Sequence, residues 1–186
     1  DHFKIKAYEY IDRFTNKYLV HVLIAVTQKI HFLLTQDYLS KKKAKVICIH
    51  NGIDIEALMR GRKGRNIRKE LDFSEKTVLV GIVGRLTPIK GHVHLLKAIS
   101  VLVGKGNDVH LIVVGDGPLR SQLECLAVEF KIQKNVTFVG HQSDISDFIE
   151  AMDILALPSL NEGIPMVLLE ALAMCRPVVA SRTGGI

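Results

Sequence analysis

Two cations and two carboxylates in this chain have types and spacings that can do chemistry together. Arg85 and Lys90 sit in Gly84-Arg85-Leu86-Thr87-Pro88-Ile89-Lys90-Gly91. A guanidinium forks two oxygens of a phosphate and an ammonium adds a mobile point charge, so one loop holding both can grip a single anion. Gly84 lets the backbone turn sharply beside them. Glu162 and Glu170 lie in Pro158-Ser159-Leu160-Asn161-Glu162-Gly163-Ile164-Pro165-Met166-Val167-Leu168-Leu169-Glu170-Ala171, with seven residues between them. Pro165 is favourable at the first position of a helix. That places the amides of Met166 and Val167 in a first turn, unpaired within the helix and backed by about half a positive charge. The pattern describes a diphosphate site flanked by two acids able to accept hydrogen bonds from sugar hydroxyls. Gly163 keeps the backbone bare beside whatever Glu162 touches. Glu170 follows Leu168 and Leu169 on an apolar helix, and an unpartnered buried carboxylate is costly. Its partner is either a nearby base or a ribose with two hydroxyls.

Two more glycine turns follow apolar strands. Gly115-Asp116-Gly117-Pro118 ends a strand and opens a helix, where backbone amides gather anions. It lacks the third glycine of the dinucleotide fingerprint, because Arg120 stands there. A structural turn and a ligand-lining role are both open. Val139-Gly140-His141 ends the next strand, where backbone groups could meet a flat ring and His141 could stack or cap.

These loops need a frame that gathers strand ends. From Thr77 onward apolar strands alternate with helical periodicity, which predicts an α/β fold with a parallel sheet covered on both faces. The strands are expected at Val78 to Val83, Leu111 to Val114, Val136 to Val139, Ile154 to Leu157 and Val178 to Ala180. Leu95, Leu96, Ile99, Leu102 and Val103 stripe one helix, and Leu119, Leu123, Leu126, Ala127 and Phe130 another. A short helix is expected over Ile145 to Met152, and a last one from Pro165 to about Cys175, stopped by Pro177. Upstream, the pattern predicts a polar helix near residues 4 to 18, a strand at Val22 to Val26, a helix over 28 to 39 and a strand at Val46 to Ile49. Asn51-Gly52 is a turn signal, and a basic loop follows. Ligands of open α/β sheets collect at the carboxyl ends of the strands, where all four candidate loops fall.

Taken in order, these motifs resemble the family-four retaining glycosyltransferases, which face two Rossmann-like domains across a cleft (the GT-B architecture). The resemblance runs from about Val22 to Gly185. It rests on Ile24-Ala25-Val26-Thr27, Ile49-His50-Asn51-Gly52-Ile53-Asp54, Gly84-Arg85-Leu86 with Lys90-Gly91, Val114-Gly115-Asp116-Gly117-Pro118 and the glutamate pair. It implies a doubly wound, Rossmann-like donor domain over residues 53–186, truncated at its C-terminus, with residues 1–52 as the tail of an acceptor domain and the connection between the two. It further implies that Arg85 and Lys90 hold the donor diphosphate, that Glu162 contacts donor-sugar hydroxyls beside Gly163 and Ile164, and that Glu170 binds the nucleotide ribose. His50 departs from the family's commoner proline. The implied activity is hexose transfer from a nucleoside diphosphate sugar to a hydroxyl of a glycan or lipid-linked acceptor, with no metal or other cofactor and with transfer expected of the complete protein only. A nucleotide-sugar epimerase, a phosphorylase and a non-catalytic nucleotide-sugar-binding module are the rival readings.

Composition narrows the rest. The chain has 186 residues, 48% of them apolar, and a net charge of +6. No apolar run reaches a membrane-spanning length and no leader pattern opens the chain, so a cytoplasmic protein is expected. The positive charge clusters at Lys41, Lys42, Lys43 and Lys45, and at Arg60, Arg62, Lys63, Arg65, Arg68 and Lys69. Such clusters are solvated loops or surfaces that attract anionic membrane; no motif points to nucleic acid. Cys48, Cys125 and Cys175 are expected as buried, reduced thiols. His92 and His94 open a helical pattern, where residues two apart do not share a face, and no metal site is expected.

Overall fold

The computed structural model describes residue 15, residues 20–39 and residues 45–186. The helix expected near residues 4 to 18 and the basic residues Lys41 to Lys43 lie outside the described residues, residue 15 excepted. The chain forms two compact units that divide between Asn51 and Gly52. In the first, β1 (Val22–Ala25) pairs in parallel with β2 (Lys45–Cys48), with α1 (Gln28–Leu39) as the crossover. His50 Nδ1 lies 3.0 Å from the Val26 carbonyl oxygen, which ties down the segment after β2.

The second unit opens with α2 (Ile55–Arg60) and α3 (Ile67–Glu70). A basic loop was expected here, and the structure corrects it. Each helix starts on a side-chain cap: Asp54 accepts from the Ala57 amide and Asn66 from the Lys69 amide, which satisfies donors that a helix start leaves open. Ile67 then anchors α3 in the core.

There follow β3 (Val78–Val83), α4 (His92–Gly104), β4 (Val109–Val114), α5 (Arg120–Glu129), β5 (Val136–Gly140), α6 (Ser146–Ala151), β6 (Ile154–Leu157), α7 (Met166–Ala173) and β7 (Val178–Ala180). All strand pairs are parallel and the sheet order is β5-β4-β3-β6-β7. This is the expected doubly wound α/β sheet, and its order reverses between β3 and β6. A crevice opens at that switch point, beyond the carboxyl ends of the two strands.

Side chains alternate between the two faces of the sheet. Val80, Ile82, Leu111 and Val113 pack with Leu95, Leu96 and Ile99 of α4 and Leu123 and Ala127 of α5. Leu79, Ile112, Val114 and Leu155 pack with Ile67, Phe148, Ile149, Met152 and Ala171 from α3, α6 and α7. Leu102 was expected in the α4 stripe but is 39% exposed, while Val103 packs against the core.

In the basic segment Arg60 to Lys69, Arg62 and Arg68 are half-buried and tie it to the rest of the unit, while Arg60, Lys63, Arg65 and Lys69 are exposed to solvent. Arg62 pairs with Glu150. Arg65 forks the Glu70 carboxylate at 2.6 to 3.2 Å and lies over the Phe148 ring. Arg68 donates to the carbonyls of Ala151, Ser74 and Thr77 at 3.0 to 3.2 Å and pairs with Asp153, whose carboxylate also accepts from the Leu79 amide. The cysteines are corrected as well: Cys125 and Cys175 are exposed and Cys48 is half-buried. On α5 the core takes Leu123 and Ala127, four apart, and this turns Cys125 to the opposite side.

Candidate functional site

The hollow at the switch point is lined by Ile82 and Val83 of β3, Leu157 of β6, Lys90, Pro158, Ser159, Glu162, Pro165 and Val167. Apolar strand ends make its floor, and the polar groups come from the loops after β3 and β6 and from the mouth of α7. The two loops are clipped together by the Leu160 amide, which donates to the Ile89 carbonyl at 2.8 Å. Lys90 reaches across the clip and its Nζ lies 2.5 Å from Glu162 Oε1. Ser159 Oγ donates to that same oxygen at 2.8 Å. Lysine has three N–H donors, so two remain for an anion. Among the described residues, Glu162 Oε2 has no protein hydrogen bond.

Helix α7 begins at Met166, not at Pro165. Pro165 is the residue before it, extended at φ −70° and ψ 130°. The amides of Met166 and Val167 therefore precede the first intrahelical bonds, as expected, and Pro165 and Val167 lie on the hollow. Glu170 stands one turn further along and does not line it. Its Oε2 is buried without a hydrogen-bond partner, and burial raises its pKa above the ordinary carboxylate value. Among the described residues no base pairs with this carboxylate.

Arg85 follows Gly84 on the same loop as Lys90. Its side chain is exposed and makes no ion pair or hydrogen bond among the described residues. Lys90 lines the hollow, whereas Arg85, on the same loop, is not among the residues that line it. Gly84 is at the root of the loop, where an added Cβ would lie 3.8 Å from the Lys90 stem.

At Gly115 an added Cβ would fall 2.0 Å from the Gly84 carbonyl oxygen, and at Gly117 one would fall 2.7 Å from that of Leu86. These glycines let the loops after β3 and β4 touch, which suffices to explain them as a structural turn. The contact is reinforced by the Leu86 amide on the Asp116 carbonyl and the Leu119 amide on that of Leu86. One strand further on, Gly140 accepts from the Gly115 amide at 2.8 Å. A register shift at the end of β5 sets Val114 opposite Gly140. His141 is exposed beyond it. Gly163 and Ile164 are half-buried in the turn between Glu162 and α7.

Two residues were not assigned from the sequence. Ser159 is 2% exposed; it was visible inside the glutamate motif, but nothing there marked its hydroxyl as aimed at Glu162. His92 starts α4 next to the Lys90 loop, fully buried, with both ring nitrogens unpartnered. Burial, and then the nearby Lys90 charge, lower its pKa to about 4. It is therefore neutral near pH 7, and His94 is exposed on another side of the helix. No cluster of three metal-ligating residues occurs among the described residues.

The sequence profile of the family described as glycosyl transferases group 1 matches residues 64–186. A D-inositol 3-phosphate glycosyltransferase of Corynebacterium urealyticum is 35% identical over 155 residues, covering 77% of this chain and 37% of that protein. The UDP-Gal:alpha-D-GlcNAc-diphosphoundecaprenol alpha-1,3-galactosyltransferase of Escherichia coli is 26% identical over 182 residues, covering 96% of this chain and 46% of that one. Among solved structures, Anabaena Alr3699/HepE in complex with UDP superposes with a TM-score of 0.76 at 26% identity, over 91% of this chain and 47% of that one. The chain thus spans less than half the length of these relatives.

Proposed function

The chain belongs to the glycosyl transferases group 1 family, and on that premise we propose that the full protein transfers a hexose from a nucleoside diphosphate sugar to a hydroxyl of a glycan or lipid-linked acceptor, with retention of anomeric configuration. Residues 53–186 are the donor half and residues 1–52 belong to the acceptor half and its connection. The observation that carries this reading is the hollow at the switch point, where Lys90, Glu162 and the mouth of α7 meet between the ends of β3 and β6. Its lining, a lysine ammonium, a carboxylate and the first turn of a helix, suits the diphosphate and sugar of the donor. The unpartnered Glu170 carboxylate, one turn down the same helix, suits a ribose.

Each group has a part in the chemistry. As the glycosidic bond breaks, negative charge grows on the leaving diphosphate. Lys90, Arg85 and the first amides of α7 stabilise that charge more in the transition state than in the ground state, which is the condition for catalysis. Two side-chain cations and a helix mouth supply this without a metal, and no cofactor is proposed. Glu162 orients the sugar through its hydroxyls and neither glutamate acts as the displacing nucleophile. Transfer needs the acceptor half, so the 186-residue chain binds donor at best weakly and transfers nothing by itself. A peripheral membrane face built on Arg60 to Lys69 does not form part of the proposal, because Arg62, Arg65 and Arg68 are already paired with acids.

The relatives indicate where to begin. Alr3699/HepE is solved with UDP and glucose, at 25% identity, and the E. coli relative is named for UDP-Gal. Titrating UDP, UDP-glucose, UDP-galactose and their adenosine and guanosine counterparts against the full-length protein, followed by assignment of the product anomer, tests the proposal. Binding of at least one donor and a product of the donor's own anomeric configuration are expected. No affinity for any of them, release of an epimerised free nucleotide sugar, or an inverted product would each overturn it.

A further inference from the structure

Glu162 is held from three sides. Its backbone is pressed against the loop after β7, where a Cβ at Gly184 would land 1.6 Å from the Glu162 carbonyl oxygen; Gly184, at φ +60°, has none. Thr183 Oγ1 donates to the Leu160 carbonyl at 3.0 Å and fixes the other end of the same turn. The carboxylate is then gripped at one oxygen only. Ser159 Oγ at 2.8 Å and Lys90 Nζ at 2.5 Å both meet Oε1, and Oε2 is left free.

The two donors on Oε1 are not equivalent. The Lys90 side chain is 29% exposed and ends a long flexible stem. Its ammonium is also the group that a donor diphosphate would attract. Ser159 is 2% exposed at the end of β6, with a side chain of one rotatable carbon. A buried hydroxyl has a single proton to give, and here it goes to a carboxylate rather than to the backbone. When Lys90 turns toward a phosphate, Ser159 is the donor that stays.

We infer that Ser159 is a positioning residue for Glu162: it fixes Oε1 so that Oε2 faces the donor sugar, and it thereby helps select donors that carry the hydroxyl which Oε2 accepts. The inference rests on the glycosyltransferase reading and names a determinant of its sugar specificity. A rigid acceptor discriminates better than a mobile one, because a donor lacking the hydroxyl leaves a desolvated carboxylate oxygen unpaired in a single fixed place. Without Ser159 the carboxylate follows Lys90 and the discrimination blurs.

The test compares full-length wild type with Ser159→Ala, Ser159→Thr and Glu162→Gln. The probes are UDP, UDP-glucose, UDP-galactose and the singly deoxygenated sugar analogues of whichever donor turns over. Ser159→Ala is expected to lower kcat/KM for the intact donor by roughly 10- to 100-fold, the scale of one hydrogen bond to a charged group. UDP affinity should fall less than kcat/KM, since Ser159 bonds to Glu162 and not to the cations assigned to the diphosphate. The preference for the intact donor over one particular deoxy analogue should collapse, and Ser159→Thr, which keeps the hydroxyl, should restore it. If Ser159→Ala instead lowers thermal stability, UDP affinity and turnover of every donor in parallel, or leaves the preference intact, the positioning role is wrong. Failure of the underlying reading looks different: wild type turns over no donor, or Glu162→Gln leaves turnover and sugar preference unchanged.

Discussion

Residues 60–69 carry six cations and residues 84–91 carry two, and in the richer segment four of the six are matched to acids among the described residues. In the first, Arg62, Arg65 and Arg68 are matched to Glu150, Glu70 and Asp153, and Arg68 also donates to three carbonyls. In the second, the Arg85 side chain has no partner among the described residues and Lys90 gives one of its three donors to Glu162. Density of positive charge is therefore a poor guide to an anion site. Donors left unmatched by the protein, placed where strand ends diverge, are a better one. The same contrast holds for the acids: Asp153 accepts from Arg68 and from the Leu79 amide, whereas Glu170 has a buried oxygen with no partner.

Substitutions can break this contrast. The largest effect is expected at the sparse segment: Arg85→Ala and Lys90→Ala in the full-length protein should each lower kcat by about 10²- to 10³-fold, the cost of removing one preorganised charge-stabilising donor. Arg62→Ala should leave kcat within about twofold. Steady-state turnover with a saturating donor checks all three, and equal losses at Arg62 and Arg85 would erase the distinction drawn between the segments.

A large effect of another kind is expected at Arg68. Its side chain is 14% exposed and donates to three carbonyls, so Arg68→Ala should destabilise the fold by about 2 kcal/mol, as leaving part-buried carbonyls without a donor does. Thermal unfolding should show the loss, while the folded fraction should turn over donor normally. A variant that is stable but catalytically dead would move the 60–69 segment into the site.

Glu170→Gln should give the smallest effect and the sharpest one. Losing a charge-assisted acceptor should weaken UDP binding by roughly tenfold. Stability should change in the opposite direction. Burial raises the folded pKa of Glu170, so the wild-type stability tied to its protonated form is present below the unfolded value near 4.5 and is lost as pH rises through the folded one. Glutamine has no such loss. The variant should therefore unfold at a higher temperature than wild type near pH 7, and the gap should close toward pH 4. A variant that binds UDP as wild type does would detach Glu170 from the nucleotide.

Much of the frame was legible because its signals are local. The spans expected for β3, β6 and β7 match those observed, since short apolar runs between turn residues have few other options. Helix α7 began one residue late because Pro165 adopts the extended backbone of a residue preceding a helix. Helices α2 and α3 were missed: at six and four residues they are too short to show a helical period, and they are fixed by the caps Asp54 and Asn66 and by burial of Ile67, which composition does not reveal. Cys125 and Cys175 were expected inside because free thiols usually are, but helix phase and a turn left them outside.

For the site, sequence alone determined the inventory: which loops hold cations, which hold acids, and that a helix starts beside them. Tertiary structure decided the pairing. Lys90 and Glu162 are 72 residues apart and meet only because the order of the sheet sets β3 beside β6. Ser159 acquired its role, Arg85 its freedom and Glu170 its vacant oxygen through the same placement. Charge and hydrogen-bonding capacity belong to the residue type, but whether a group is already satisfied depends on distances of a few ångströms that only the folded chain defines.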